Sequence, residues 1–118
     1  MSKIEEMAKD LGQALGRTDE YQALKSAAEK LDEDRDLVTL RREIETLESE
    51  MVAILQSGRE PDEEARTKYE GLAEKLQGRS EYQRLVSAQS NFDKLLQKVN
   101  ETISTGIRDG ASSRIILP

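Results

Sequence analysis

At 118 residues with a net charge of −6, from 18 basic and 24 acidic side chains, the chain has the size of one small domain and repels polyphosphate, which argues against general nucleic-acid binding. It contains no cysteine and no histidine, which excludes disulfides and thiolate chemistry and removes the commonest general base and metal ligand. Aromatic residues make up 3% of a sequence that is 36% hydrophobic and 36% charged, the balance of long helices rather than of sheets or disordered chains.

Periodicity and punctuation predict five helices. The first carries a stripe of Ile4, Met7, Ala8, Leu11, Ala14 and Leu15 at 3–4 spacing and ends near Gly16. Asp19 is read as the cap of the second, with Gln22 at the capping-box position and Tyr21, Leu24, Ala28 and Leu31 as its stripe. Asp32-Glu33-Asp34-Arg35-Asp36 has no apolar residue and predicts a break, with Asp34 capping the third helix. That helix holds a heptad seam of Leu37, Leu40, Ile44, Leu47, Met51 and Ile54 and ends at Gly58.

Pro61 fits the first position of a fourth helix, where a missing N–H costs nothing. Asp62, Glu63 and Glu64 then suit the helix dipole, Ala65, Tyr69, Leu72 and Leu76 form the stripe, and Gly78 closes it. Ser80 and Gln83 read as a second capping box, opening a fifth helix that runs through Tyr82, Leu85, Phe92, Leu95, Leu96, Val99 and Ile103 to about Ile107. The expected fold is all-α: about five amphipathic helices in an elongated antiparallel bundle with long third and fifth helices. Residues 1–109 would form the single domain and 110–118 a short tail. A local echo relates Asp19-Glu20-Tyr21-Gln22-Ala23-Leu24 to Ser80-Glu81-Tyr82-Gln83-Arg84-Leu85. It is either a duplication or two helix starts that solve one packing problem alike.

A fifth helix of about 28 residues would be roughly 42 Å long, against a diameter near 35 Å for a compact domain of this size. Its far end would therefore overhang, leaving Val99, Ile103 and Ile107 to be covered by a second subunit or another protein. A homodimer or higher homo-oligomer is expected, with Leu95, Val99, Ile103 and Ile107 at the self-association or partner interface. The apolar end Ile115-Ile116-Leu117 joins that set: it either folds back over exposed apolar surface or docks in a partner's groove or sheet edge.

Nothing in the sequence supplies reaction chemistry. Glu43, Glu45, Glu48 and Glu50 lie on the polar side of an amphipathic helix, and no phosphate-cradling glycine spacing occurs. Arg41 with Arg42, Arg79 with Arg84, and Lys94 with Lys98 read as solvated faces, direct RNA contact being the weaker alternative. Tyr21 and Tyr82 read as core residues rather than a binding platform, and the heptad seam as core rather than dimer seam. No catalytic residue, metal ligand or cofactor is assigned. The N-terminus lacks the apolar stretch of a signal peptide and no run reaches the roughly 20 residues that span a bilayer, so the cytoplasm is the expected compartment.

Ser80-Glu81-Tyr82-Gln83-Arg84-Leu85, leading through Phe92 and Leu95-Leu96 to Val99-Asn100-Glu101-Thr102-Ile103, resembles the last helix of the YlbF/YmcA family of small bacterial helical regulators. Asp19-Glu20-Tyr21-Gln22-Ala23-Leu24, the acidic break and the third helix ending at Gly58 resemble it too, so the likeness covers roughly residues 2–108. It implies an all-α chain that self-associates and joins a complex affecting competence, biofilm formation and sporulation through ribonuclease-dependent maturation of messages. Some members carry C-terminal cysteines associated with iron–sulfur clusters; this chain has none, which makes it similar to the cluster-free YheA type. The function expected is a non-enzymatic regulatory adaptor, in a complex that modulates RNA processing and developmental control. The alternative is a structural or chaperone-like helical oligomer without a regulatory partner.

Overall fold

The heptad seam of the third helix becomes the core. In the computed structural model, which describes residues 2–116, the helices are α1 Lys3–Gly16, α2 Asp19–Glu33, α3 Arg35–Gln56, α4 Glu63–Gln77 and α5 Ser80–Ile116. No strand occurs among the described residues, so the protein is all-α. The third and fifth helices, of 22 and 37 residues, are the long ones, as expected. They are distributed over two compact units, one of Lys25–Val86 and the other of Met1–Leu24 with Ser87–Pro118.

In the Lys25–Val86 unit, Leu31, Leu37, Leu40 and Ile44 are buried, with Tyr69, Leu72, Leu76, Tyr82 and Leu85 packed against them. Leu31 and Leu37 are almost fully enclosed, at 2% and 0% exposure. The seam reading of α3 as core therefore holds for Leu37, Leu40, Ile44 and Leu47, while Met51 and Ile54 are half-buried. The Tyr69 hydroxyl donates to Glu48 at 2.8 Å and ties α4 to α3 beside this seam. That carboxylate stabilises the phenol's proton, so the Tyr69 pKa is raised.

Helix ends follow local chemistry. Asp34 separates α2 from α3, and its Oδ1 accepts from the Leu37 N–H at 3.1 Å, the expected cap. At the other end of α3 the backbone closes a Schellman motif: Gly58 N–H donates to Leu55 and Arg59 N–H to Ile54. Gly58 has φ +85°, a conformation that side chains with a Cβ resist.

Four expected helix ends are corrected. Pro61 is not the first residue of α4; it lies buried ahead of Asp62, whose Oδ1 caps the helix through the Ala65 N–H at 2.8 Å. Asp19 does not cap α2, because Thr18 Oγ1 takes the Tyr21 N–H at 3.1 Å. Ser80 is the first residue of α5, with its hydroxyl donated to Glu81. The helix also does not stop near Ile107 but continues to Ile116. Ala111 and the two serines after it are compatible with a helix, and a single interior glycine such as Gly110 costs only about 1 kcal/mol.

The two echoed segments form the same corner. Ahead of α2, Thr18 N–H donates to Leu15 and the Gln22 side chain reaches back to the Gly16 carbonyl at 2.8 Å. Ahead of α5, Arg79 N–H donates to Leu76 and the Gln83 side chain reaches the Gln77 carbonyl at 2.9 Å. The glutamines therefore hold a preceding carbonyl instead of completing capping boxes. The second corner carries an added polar clamp. Arg79 Nη2 donates to Asp34 and to Glu81, each at 2.8 Å. Hydrogen bonds from Ser80, its own backbone N–H and Arg79 hold the Glu81 carboxyl down at about 2.

Two predictions follow from this packing. Leu37→Ala should destabilise the fold by about 3 kcal/mol, as a fully buried leucine truncated to a cavity does, whereas Val52→Ala, at a half-exposed position, should change the urea midpoint little. Because Glu81 titrates lower in the folded than in the unfolded chain, its contribution is complete above the ordinary 4.5 and is lost as pH falls toward 2. Melting temperature should therefore drop across that interval, and the drop should be shallower in Glu81→Gln.

Candidate interaction surface

Apolar side chains that find no cover inside the chain mark the surface. In α1, with 100° between successive residues, Ile4, Met7 and Leu11 fall on one face, Ala8 and Leu15 beside them. Their exposures are 79% for Ile4, 61% for Met7 and 38% for Leu11, and α1 contributes no buried residue. The Ser2 side chain caps the helix through the Glu5 N–H at 3.1 Å, so this apolar face is carried on a properly started helix.

The same unit contains the distal part of α5. There Phe92, Leu96, Val99, Ile103 and Ile107 recur at 3–4 spacing and share a face. Phe92 meets Tyr21 of α2 edge-on, with ring centroids 5.4 Å apart at 63°. Exposure then rises along the helix: Leu95, Leu96 and Val99 are half-buried, Ile103 is 46% exposed and Ile107 66%.

Of the seven expected interface residues, Ile103 and Ile107 are thus well exposed and Leu95 and Val99 partly so. Ile115 and Ile116 fall in the last turn of α5, but their side chains, like Leu117, lie outside the described residues. Sequence reasoning left out Ile4, Met7 and Leu11. Their signal was present in the α1 stripe, a regular apolar face. Tyr82 packs on the core as expected, whereas Tyr21 combines its contact to Phe92 with 36% exposure.

The 61-residue echo shows what α1 lacks. Leu11 and Leu15 correspond to Leu72 and Leu76 of α4, and Ala8 to Tyr69. In α4 these positions are packed against the aliphatic seam of α3. In α1 the equivalent face is partly exposed: Ala8 and Leu11 are exposed and Leu15 is half-buried.

Among the described residues, polar groups offer no competing site. Glu43, Glu45, Glu48 and Glu50 are exposed along α3. Among the described residues, no group of three or more Asp or Glu is arranged to hold a metal ion, and no helix is long and apolar enough to cross a membrane. Of the basic pairs, Arg41 bonds Asp32 at 3.1 Å and Arg79 is committed to Asp34 and Glu81. A trough along α5 between Asp93, Leu96, Asn100, Ser104 and Arg108 is open to solvent. It encloses nothing.

Comparison with known proteins agrees with this all-helical fold. Residues 4–108 match the family described as control of competence regulator ComK, YlbF/YmcA. A UPF0342 protein of Staphylococcus saprophyticus is 30% identical over 96 residues, covering 81% of this chain and 84% of that one. A UPF0342 protein of Limosilactobacillus reuteri is 27% identical over 106 residues, covering 90% and 86%. Among solved structures, Bacillus subtilis RicA, crystallised in complex with RicF, superposes with a TM-score of 0.81 at 15% identity, covering 92% of this chain and 96% of that one. A protein of unknown function from Bacillus stearothermophilus gives 0.66 at 14% identity, covering 92% and 95%. The chain belongs to the YlbF/YmcA family of competence-control regulators.

Proposed function

We propose that this chain is a non-enzymatic regulatory adaptor of the cytoplasm that works by docking proteins on the apolar faces of α1 and distal α5. The observation that carries this reading is the exposure of Ile4, Met7, Ile103 and Ile107. Isolated exposed aliphatics are ordinary, but regularly spaced ones on a helix face mark a surface that another helix covers. Family membership supports a regulatory role. The neighbour RicA, seen in complex with RicF, supports a helical protein of this kind as partner. The finer assignment, a homo-oligomer within a complex that tunes ribonuclease-dependent RNA processing and developmental control, rests on the family resemblance.

A tagged pull-down from the native host at near-physiological salt, with nuclease-treated and untreated halves, tests the reading. Sister family members and ribonuclease components should be recovered in both halves and lost with Ile103→Glu/Ile107→Glu, whose helicity should match the parent. A heterogeneous set of unfolded clients would instead identify a structural or chaperone-like oligomer. Recovery abolished by nuclease would transfer the role to RNA contact.

A further inference from the structure

Within the Lys25–Val86 unit, one side of the α3–α4 pair forms an open groove. On α3, Asp36, Thr39, Glu43, Thr46 and Glu50 are exposed and fall within an arc of about 80° at 100° per residue. On α4, Lys68, Gly71 and Lys75 are exposed and share an arc of about 60°. The two rows face each other: Lys75 lines the groove with Asp36, Thr39 and Glu43, and Lys68 lines it with Glu43, Thr46 and Glu50. Leu40 and Leu47 form the floor, and Arg79 closes one end.

The walls differ in sign and keep one interval. Asp36, Glu43 and Glu50 are seven residues apart, as are Lys68 and Lys75. A seven-residue step drifts only about 20° around a helix, so each row keeps to its side of the groove. Neither row uses its charges internally: the ion pairs among the described residues join Arg41 to Asp32, Arg66 to Glu60, and Arg79 to Asp34 and Glu81. We propose that the groove takes an amphipathic helix of a different protein, with basic residues on the flank that meets α3 and acidic residues on the flank that meets α4. From Asp36 to Glu50 the groove runs about 21 Å, two heptads of such a helix. Flanking charges at heptad spacing are how one helix selects another. This surface is separate from that of the adaptor reading and goes beyond it.

Two further observations fit this occupant. Gly71 lies midway along the basic row, where a Cβ would meet nothing within 4 Å. Packing inside the chain therefore gives no reason for glycine, which weakens a helix interior relative to alanine; against a docked helix it allows close backbone approach. The chain's own exposed apolar faces also lack the required flanks. Lys3 and Asp10 share one flank of the α1 face, and the distal α5 face is bordered by Asp93 and Asn100 on one side and by Thr102 and Asp109 on the other.

Two stapled helical peptides of about 16 residues, alike in their leucine face, serve as probes. One carries lysine on one flank and glutamate on the other; the second carries lysine on both. Fluorescence anisotropy at low salt should show the full chain binding the mixed peptide about tenfold more tightly, because the second sets lysines against Lys68 and Lys75. Lys68→Glu/Lys75→Glu should reverse that preference, a gain that a folding defect would not produce. Gly71→Leu should abolish binding of the mixed peptide while the melting temperature holds or rises. Ile103→Glu/Ile107→Glu should leave peptide binding unchanged, which keeps failure here distinct from failure of the adaptor reading. No saturable binding, equal affinity for the two peptides, or binding that survives Gly71→Leu would overturn the proposal. A changed solution mass of the peptide-free chain on Gly71→Leu would assign the groove to a second copy and overturn it too.

Discussion

The packing of α3 against α4 is the contact on which the rest depends. The chain has one phenylalanine, three tyrosines and no tryptophan, so its core is built from leucine and isoleucine at 3–4 spacing. Each fully buried side chain of that kind contributes about 1.5–3 kcal/mol, and the most enclosed ones, Leu31 and Leu37, flank the single residue that separates α2 from α3. Asp34 therefore holds two roles at one position. One carboxylate oxygen starts α3 and the other receives Arg79 from the corner that starts α5. Packing and polar closure reinforce each other across this short stretch, and the Lys25–Val86 unit has an aliphatic core of its own.

How much of this was legible depends on the kind of signal. The α3 seam announces itself because its apolar steps of 3 and 4 are sustained without interruption, and Gly58 marks its end because the chain needs a left-handed residue there. Helix starts were harder to read. A capping box is a pattern of residue types, and Asp19 with Gln22 satisfies it, yet Thr18 supplies the cap and Gln22 reaches a carbonyl six residues back. Which oxygen a glutamine finds depends on the angle of the corner, and that angle is tertiary information. The end of α5 was misread for a related reason, since Gly110 and the following serines weaken a helix without forbidding it.

The surface was partly visible. Ile103 and Ile107 were singled out through the length of α5, but α1 escaped notice because a regular stripe looks the same whether or not something covers it. Periodicity says which face is apolar and is silent on whether the chain has another apolar face to spare. Here the supply runs short: α3 covers α4, and the echoed face on α1 has no equivalent helix. The repeat becomes informative only when one copy is seen packed and the other partly exposed.

That shortage bears on how α1 behaves when the chain is alone. A helix of 14 residues is near the length at which isolated helices are marginal in water, and α1 includes Gly12, a poor helix former, while burying none of its residues. Its amide hydrogens belong at the fast-exchanging end of the spectrum, opening without any need for the α3–α4 core to unfold. Association on α1 would then carry an ordering cost that varies with helix propensity rather than with contact area. Affinity could be tuned from within the helix, by residues that never touch the partner.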